Sequence, residues 1–129
     1  MKRLVSLVLA GLLSACSGLS NDAKLAQQNE WEQLGYHDGV TGRFARSDAA
    51  LEQLSPLSQD GKAQYLQGYR YGIEDYCTPY KTYEYGKNGV AYMGQCKNTQ
   101  HEKLAVQGWE AGYQYYLTHS DLLFWPNDE

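Results

Sequence analysis

The sequence predicts a mainly α-helical domain: about three helices packed closely through glycine, plus a short two-stranded β-hairpin between helices two and three, stapled by a disulfide. Three observations carry this. The pattern Gly-aromatic-x-x-Gly occurs at Gly35 to Gly39, Gly68 to Gly72 and Gly108 to Gly112. Residues 80–96 carry four tyrosines, with Thr82 and Val90, around Gly86-Lys87-Asn88-Gly89. Cys77 and Cys96 bracket that stretch.

The chain has 129 residues, a length for one domain. Its 43% hydrophobic and 20% charged residues argue against wholesale disorder. A net charge of -4 gives no electrostatic footprint for nucleic acid.

Residues 1–15 read as an export signal. Lys2 and Arg3 form a basic start, and Leu4 to Leu13 form an apolar run broken by Ser6 and Gly11. That run is far short of the ~20 residues a membrane-spanning helix needs. The ending Leu13-Ser14-Ala15-Cys16 resembles the lipobox of bacterial lipoproteins, in which the cysteine is acylated and the peptide is cut just before it. The alternative is an ordinary secretory signal with a chance cysteine. In lipoproteins an aspartate after the cysteine favours the inner membrane. Ser17 stands here, so the resemblance implies the outer membrane, with the domain facing the periplasm. The division is then a signal peptide over 1–15, a lipidated tether over 16–23 and one domain over 24–129. Six extended residues after Cys16 reach only about 20 Å, which keeps the domain close to the membrane.

Helix one is expected from about Lys24 or Asn29 to Arg46, with Leu25, Trp31, Leu34 and Phe44 as apolar positions. Gly35, Gly39 and Gly42 interrupt its second half. Ser47 is a cap candidate for a short turn at Asp48-Ala49-Ala50-Leu51, and Pro56 argues for a break. Helix two is expected from about Asp60 to Tyr76, with Tyr65, Leu66, Tyr69 and Ile73 as packing residues, ended by Thr78-Pro79. The hairpin follows: Tyr80, Thr82, Tyr83, Tyr85, Val90, Tyr92 and Met93 favour strand, and Asn88-Gly89 is a hairpin turn signal. Helix three is expected from about Thr99 to His119, with Leu104, Val106, Trp109, Tyr113, Tyr116 and Leu117. The tail Leu122-Leu123-Phe124-Trp125-Pro126 is very apolar for a terminus; docking on the core and contact with a partner or membrane are both open.

Glycines four apart share one helix face. Each costs a helix interior about 1 kcal/mol against alanine. Close approach of helix backbones at Gly35, Gly39, Gly68, Gly72, Gly108 and Gly112 would offset that cost. A ligand cradled against bare backbone is the alternative. The spacing of the three segments is too irregular for a solenoid.

With Cys16 assigned to lipid, Cys77 and Cys96 form one pair. An exported chain folds where disulfides persist. A redox or metal-binding pair is the alternative, but no C-x-x-C is present and the histidines lie elsewhere in sequence.

The run Gly68-x3-Gly72-Ile73-x2-Tyr76-Cys77-Thr78-Pro79, then Gly86-x2-Gly89-x2-Tyr92-x3-Cys96, resembles a family of small bacterial lipoproteins, domain of unknown function 2799. Trp31-x3-Gly35-x2-Asp38-Gly39-x2-Gly42 upstream agrees. The resemblance spans roughly residues 31–116. Many members carry another cysteine between the first two glycine motifs, and residues 47–64 have none. The resemblance implies a single-domain lipoprotein and no particular chemistry.

Candidate chemistry is sparse. His37-Asp38 is the one acid–base or metal candidate, but adjacent helix residues point apart and a structural role for Asp38 is favoured. His101 and His119 are isolated, and His119 suits a helix end. Glu74-Asp75 reads as a solvated face. No nucleophile elbow or phosphate loop occurs. Twelve tyrosines are present, eight of them between Tyr65 and Tyr92. They suit a small core or a binding face. The expected function is therefore a non-enzymatic envelope module without cofactor or metal, contacting an envelope protein. The alternative is a glycan- or peptidoglycan-binding module using Tyr69, Tyr71, Tyr83, Tyr85, Tyr92 or Trp109.

Overall fold

Caps and left-handed turns divide the chain into helices. The structure, a computed structural model, describes residues 20–120. Ser20 accepts a hydrogen bond from the Ala23 amide and opens α1, Asn21–Gln27. Residues 21–23, read above as tether, are therefore helical. Asn29, at φ 58°, ends that helix, with the Glu30 amide donating to the Leu25 carbonyl. A single first helix is thus cut in two, and α2 spans Trp31–Val40. Ser47 caps α3, Asp48–Glu52, through the Ala50 amide. Ser58 caps α4, Gln59–Tyr76, through the Gly61 amide. Then come α5, Pro79–Lys87, and α6, Glu102–Ser120.

The expected hairpin and the count of three helices are overturned. Among the described residues there are six helices and no strand. Residues 79–87 are helical although tyrosine and threonine favour strands, because that preference yields to packing. Pro79 sits in the first turn, where its missing N–H costs nothing. Asn88-Gly89 is a helix C-terminus. Gly89 takes φ 73°, and the Val90 amide donates to the Tyr85 carbonyl at 2.9 Å. A left-handed glycine closes a hairpin and a helix equally well, so the dipeptide alone does not distinguish them.

The helices form two pairs, and within each pair the partners run in the same direction. In the first, α2 lies on α4. A Cβ at Gly35 would strike the Tyr65 carbonyl, and one at Gly39 would sit 2.6 Å from the Ile73 nitrogen. A Cβ at Gly68 would strike the Glu32 carbonyl, and one at Gly72 the Tyr36 carbonyl. In the second pair, α5 lies on α6. A Cβ at Gly86 would strike the Trp109 carbonyl, one at Gly108 the Pro79 carbonyl and one at Gly112 the Tyr83 carbonyl. Each of these glycines thus aims a Cα hydrogen at a backbone oxygen of the other helix. Such contacts contribute roughly 0.5–1 kcal/mol apiece.

The second pair repeats the first, contact by contact. Gly42 at φ 71° and Gly89 at φ 73° follow α2 and α5, and a Cβ on them would meet the rings of Tyr76 and Tyr116 respectively. The Tyr69 hydroxyl donates to the Arg43 carbonyl at 2.9 Å, and the Trp109 indole to the Val90 carbonyl at 2.6 Å. The Arg43 amide donates to the Asp38 carbonyl as the Val90 amide does to that of Tyr85. The partners are Gly35 with Thr82, Gly39 with Gly86, Gly68 with Gly108 and Gly72 with Gly112.

Two cores hold the pairs. Ala26, Trp31, Leu34, Leu51 and Tyr65 form one, inside the first pair. Ile73, Tyr76, Cys77, Cys96 and Ala105 form the other, where the pairs meet, with Tyr69, Tyr85 and Tyr92 against it. Cys77 and Cys96 are disulfide-bonded there, fully buried, 19 residues apart in sequence.

Two outcomes test this packing. Gly68→Ala should destabilise by about 1–3 kcal/mol or more in urea unfolding, because backbone cannot yield as a side chain can. Gly61→Ala, whose Cβ would meet only the Trp31 ring and Ser58 Oγ, should cost less. Cys77→Ser with Cys96→Ser should cost about 2–4 kcal/mol, read as an earlier urea midpoint, and loosen the second pair first in hydrogen exchange.

Candidate functional site

Between the two glycines of α2 stands Asp38, with no solvent exposure. A buried carboxylate needs partners, and this one has a full set. Arg46 grips it as a fork, Nε to Oδ2 at 2.7 Å and Nη2 to Oδ1 at 2.9 Å. The Tyr65 hydroxyl donates to Oδ2 at 2.9 Å and accepts from the Arg46 amide at 2.9 Å. Arg43 Nη1 lies 3.4 Å from Oδ1. Asp22 of α1 joins by accepting from Arg46 Nη2 at 2.6 Å. The cluster thereby ties α1, α2, α4 and the segment before α3 together.

The electrostatics follow from those contacts. The hydrogen bond from Arg46 is the main cause holding the Asp22 carboxyl below its ordinary value of 3.8, and the Arg46 and Arg43 charges add to it. The hydrogen bond to Asp38 raises Arg46 further above the usual arginine value. Burial, then the contact with Asp38, pushes the Tyr65 phenol up. Burial raises the Tyr69 phenol as well.

The structure does not make His37 and Asp38 a working pair. Asp38 is sealed, whereas the His37 side chain is 43% exposed and its Nδ1 lies 3.8 Å from Asp22 Oδ1. That imidazole nitrogen has no hydrogen-bond partner. His101 is exposed, and His119 stacks on Tyr115 with its Nδ1 2.8 Å from that residue's carbonyl. Glu74 accepts from the Gln100 amide, and Asp75 pairs with Lys81 at 2.7 Å. Among the described residues, no group of three or more His, Cys, Asp or Glu is placed to hold a metal.

His37 instead borders an open cleft of about 590 Å³ between α1, α2 and α4. Asn21 and Leu25 form one wall, Glu30, Glu32 and Gln33 another, and Tyr36, Tyr71 and Gly68 complete it. Tyr71 is 60% and Tyr36 43% exposed. Of the six aromatic binding candidates, Tyr71 alone lines this cleft. Tyr85 stacks on Tyr76 at 4.6 Å, Tyr92 leans on Trp109 at 5.9 Å, and Tyr69 and Tyr83 are half-buried. Cys16 and the tail from Leu122 to Pro126 lie outside the described residues.

Sequence reasoning missed Asp22, Arg43, Arg46 and Tyr65 as one cluster. They carry no shared spacing, and only the fold brings them together. The fourth glycine segment, Thr82-Tyr83-x-x-Gly86, was visible as Tyr-x-x-Gly but hidden by threonine at its first position.

The architecture is that of a small helical domain made of two glycine-packed helix pairs joined through a disulfide. The family model described as "Protein of unknown function (DUF2799)" matches residues 30–114, and the chain belongs to that family. No curated protein and no solved structure matches the chain.

Asp22 gives a pH test. Its folded value lies below its unfolded one, so its pairing stabilises above about pH 4 and is lost as pH falls through the folded value. Asp22→Asn should cost about 1 kcal/mol at pH 7, limited by the solvent on one side of the pair. In urea titrations the gap between the two proteins should close below pH 4.

Proposed function

We propose that this chain is a lipid-anchored, non-enzymatic interaction or accessory module of the bacterial cell envelope, held at the outer membrane through Cys16 and facing the periplasm. One observation supports this best. The first helix after the lipobox-like Leu13-Ser14-Ala15-Cys16 starts at Asn21 and supplies a wall of the aromatic cleft. An acyl anchor on Cys16 would hold that cleft within about 20 Å of the membrane. Bacterial lipoproteins carry several acyl chains, and more than one is what stable anchoring needs. An enzyme built on His37 and Asp38 has less support, because Asp38 is spent on Arg46 and Tyr65.

Glycan or peptidoglycan binding is the second reading, and the lining of the cleft favours it. Exposed Tyr36 and Tyr71 offer flat apolar faces, and Asn21, Gln33 and Glu30 offer hydrogen-bonding groups suited to hydroxyls. Photo-crosslinking in living cells from position 71 separates the readings. A discrete protein adduct, lost when Cys16→Ser abolishes anchoring, is expected. Adducts to glycan only, with muropeptides shifting the Tyr36 and Tyr71 NMR signals, would replace the leading reading by the second. Membrane association unchanged by Cys16→Ser would overturn the lipid anchor.

A further inference from the structure

A second groove lies on another side of α4 from the aromatic cleft. It encloses about 520 Å³ between α4, the segment after α2 and the segment before α6. Tyr69, Ile73 and the 54% exposed Phe44 give it an apolar side. The segment before α6 forms a rim that is fixed in advance. Cys96 ties it to α4 through Cys77, and Gly94 and Asn98 take φ 87° and 65°. The Asn98 amide donates to Glu102 Oε2 at 2.8 Å. A rim held this way needs little ordering when a ligand arrives.

Polar groups in this groove lack partners. Gln95 is only 8% exposed; its Oε1 accepts from the Met93 amide at 2.7 Å, and its Nε2 donates to no group among the described residues. Glu74 accepts from the Gln100 amide through Oε1 at 2.9 Å, while its Oε2 is buried without a partner. Arg70 and Lys97 are exposed and form no ion pair among the described residues. Buried polar groups are normally satisfied, so a free donor and a free acceptor in one groove indicate what a ligand would supply.

The internal repeat shows that the fold does not require these residues. Tyr69 and Ile73 have Trp109 and Tyr113 as counterparts on α6, apolar bulk in both pairs. Phe44, Arg70 and Glu74 have Ala91, Glu110 and Gln114. A helix pair is thus built without this aromatic wall and without this cation.

The chemistry of the ligand follows. A peptide group carries one donor and one acceptor, matching the free Glu74 oxygen and the free Gln95 amide. Two unpaired cations against one carboxylate make the groove positive on a chain of net charge -4, which suits an anion. Glycan hydroxyls carry no charge for those cations. We propose that this groove binds the C-terminal end of a protein chain. The carboxylate sits at Arg70 and Lys97, the last amide at Gln95 and Glu74, and an apolar last side chain against Phe44, Tyr69 and Ile73. Capture of a terminal carboxylate is a recurring mode of peptide recognition. The site is additional to the aromatic cleft and holds or fails without the lipid anchor.

The test is affinity selection of a hexapeptide library with free C-termini on the full chain purified from bacterial cells. Peptides ending in an apolar residue should be enriched. Amidation of their C-terminus should weaken binding at least tenfold in calorimetry. Arg70→Ala should weaken the free acid at least fivefold and abolish the preference over the amide, with the urea midpoint unchanged because Arg70 is exposed. Phe44→Ala should weaken both forms. No enrichment, equal binding of acid and amide, or an Arg70→Ala protein that binds normally would overturn the proposal. So would muropeptides, and not the peptides, shifting the Gln95 side-chain amide signals in NMR.

Discussion

The fold depends on the approach of one helix backbone to another at contact distance. Seven glycines make this approach possible, four between α2 and α4 and three between α5 and α6. Any side chain at these positions would stand where a carbonyl or amide of the neighbouring helix already is. The cost of glycine in a helix is thus offset by contacts that no other residue could reach. Chain direction follows from the same constraint. The partners of a pair run the same way, so a connection must return between them. In the first pair that return contains α3; in the second it is the segment of turns from Asn88 to His101.

The two pairs differ in what seals their free faces. The first pair ends on a charged cluster, with Asp38 locked by Arg46 and Tyr65 and linked through Arg46 to Asp22. Such a cluster specifies geometry well, since each group is satisfied only when all four segments are in place. It contributes less to net stability than its contacts suggest, because desolvation opposes it. The second pair has Tyr85 where the first has Asp38, and its contacts are aromatic. The disulfide joins the pairs at their shared core, where a small domain has least apolar area to spare.

Placement of the cleft beside the first helix connects the fold to the proposed role. Its walls come from α1, α2 and α4, so it exists only when the glycine contacts hold α2 on α4 and α1 docks beside them. The Asp22–Arg46 contact secures α1 in that position. The polar cluster and the cleft are therefore structurally coupled, although they share only the border formed by α1 and His37.

The sequence by itself determined the mainly helical class, the partnership of Cys77 with Cys96 and six of the seven glycines that face neighbouring helices, Gly86 reading instead as part of a hairpin turn. These are local or compositional readings: glycine spacing places residues on one face, and Cys77 and Cys96 are the two cysteines that bracket one short stretch of the chain. The cap at Ser47 was legible because capping is a short-range preference. Only the tertiary structure decided the rest. Tyr80 to Tyr85 reads as strand from propensity, but Gly86 packs against the Trp109 carbonyl and that contact selects the helix. Asn29 split the first helix through a left-handed backbone that no apolar pattern announces. Asp22, Asp38, Arg46 and Tyr65 meet across α1, α2 and α4 with no spacing rule to link them. The repeat of one helix pair in the other was equally hidden, because it lies in contacts between helices and survives in the residues only as scattered glycines and aromatics.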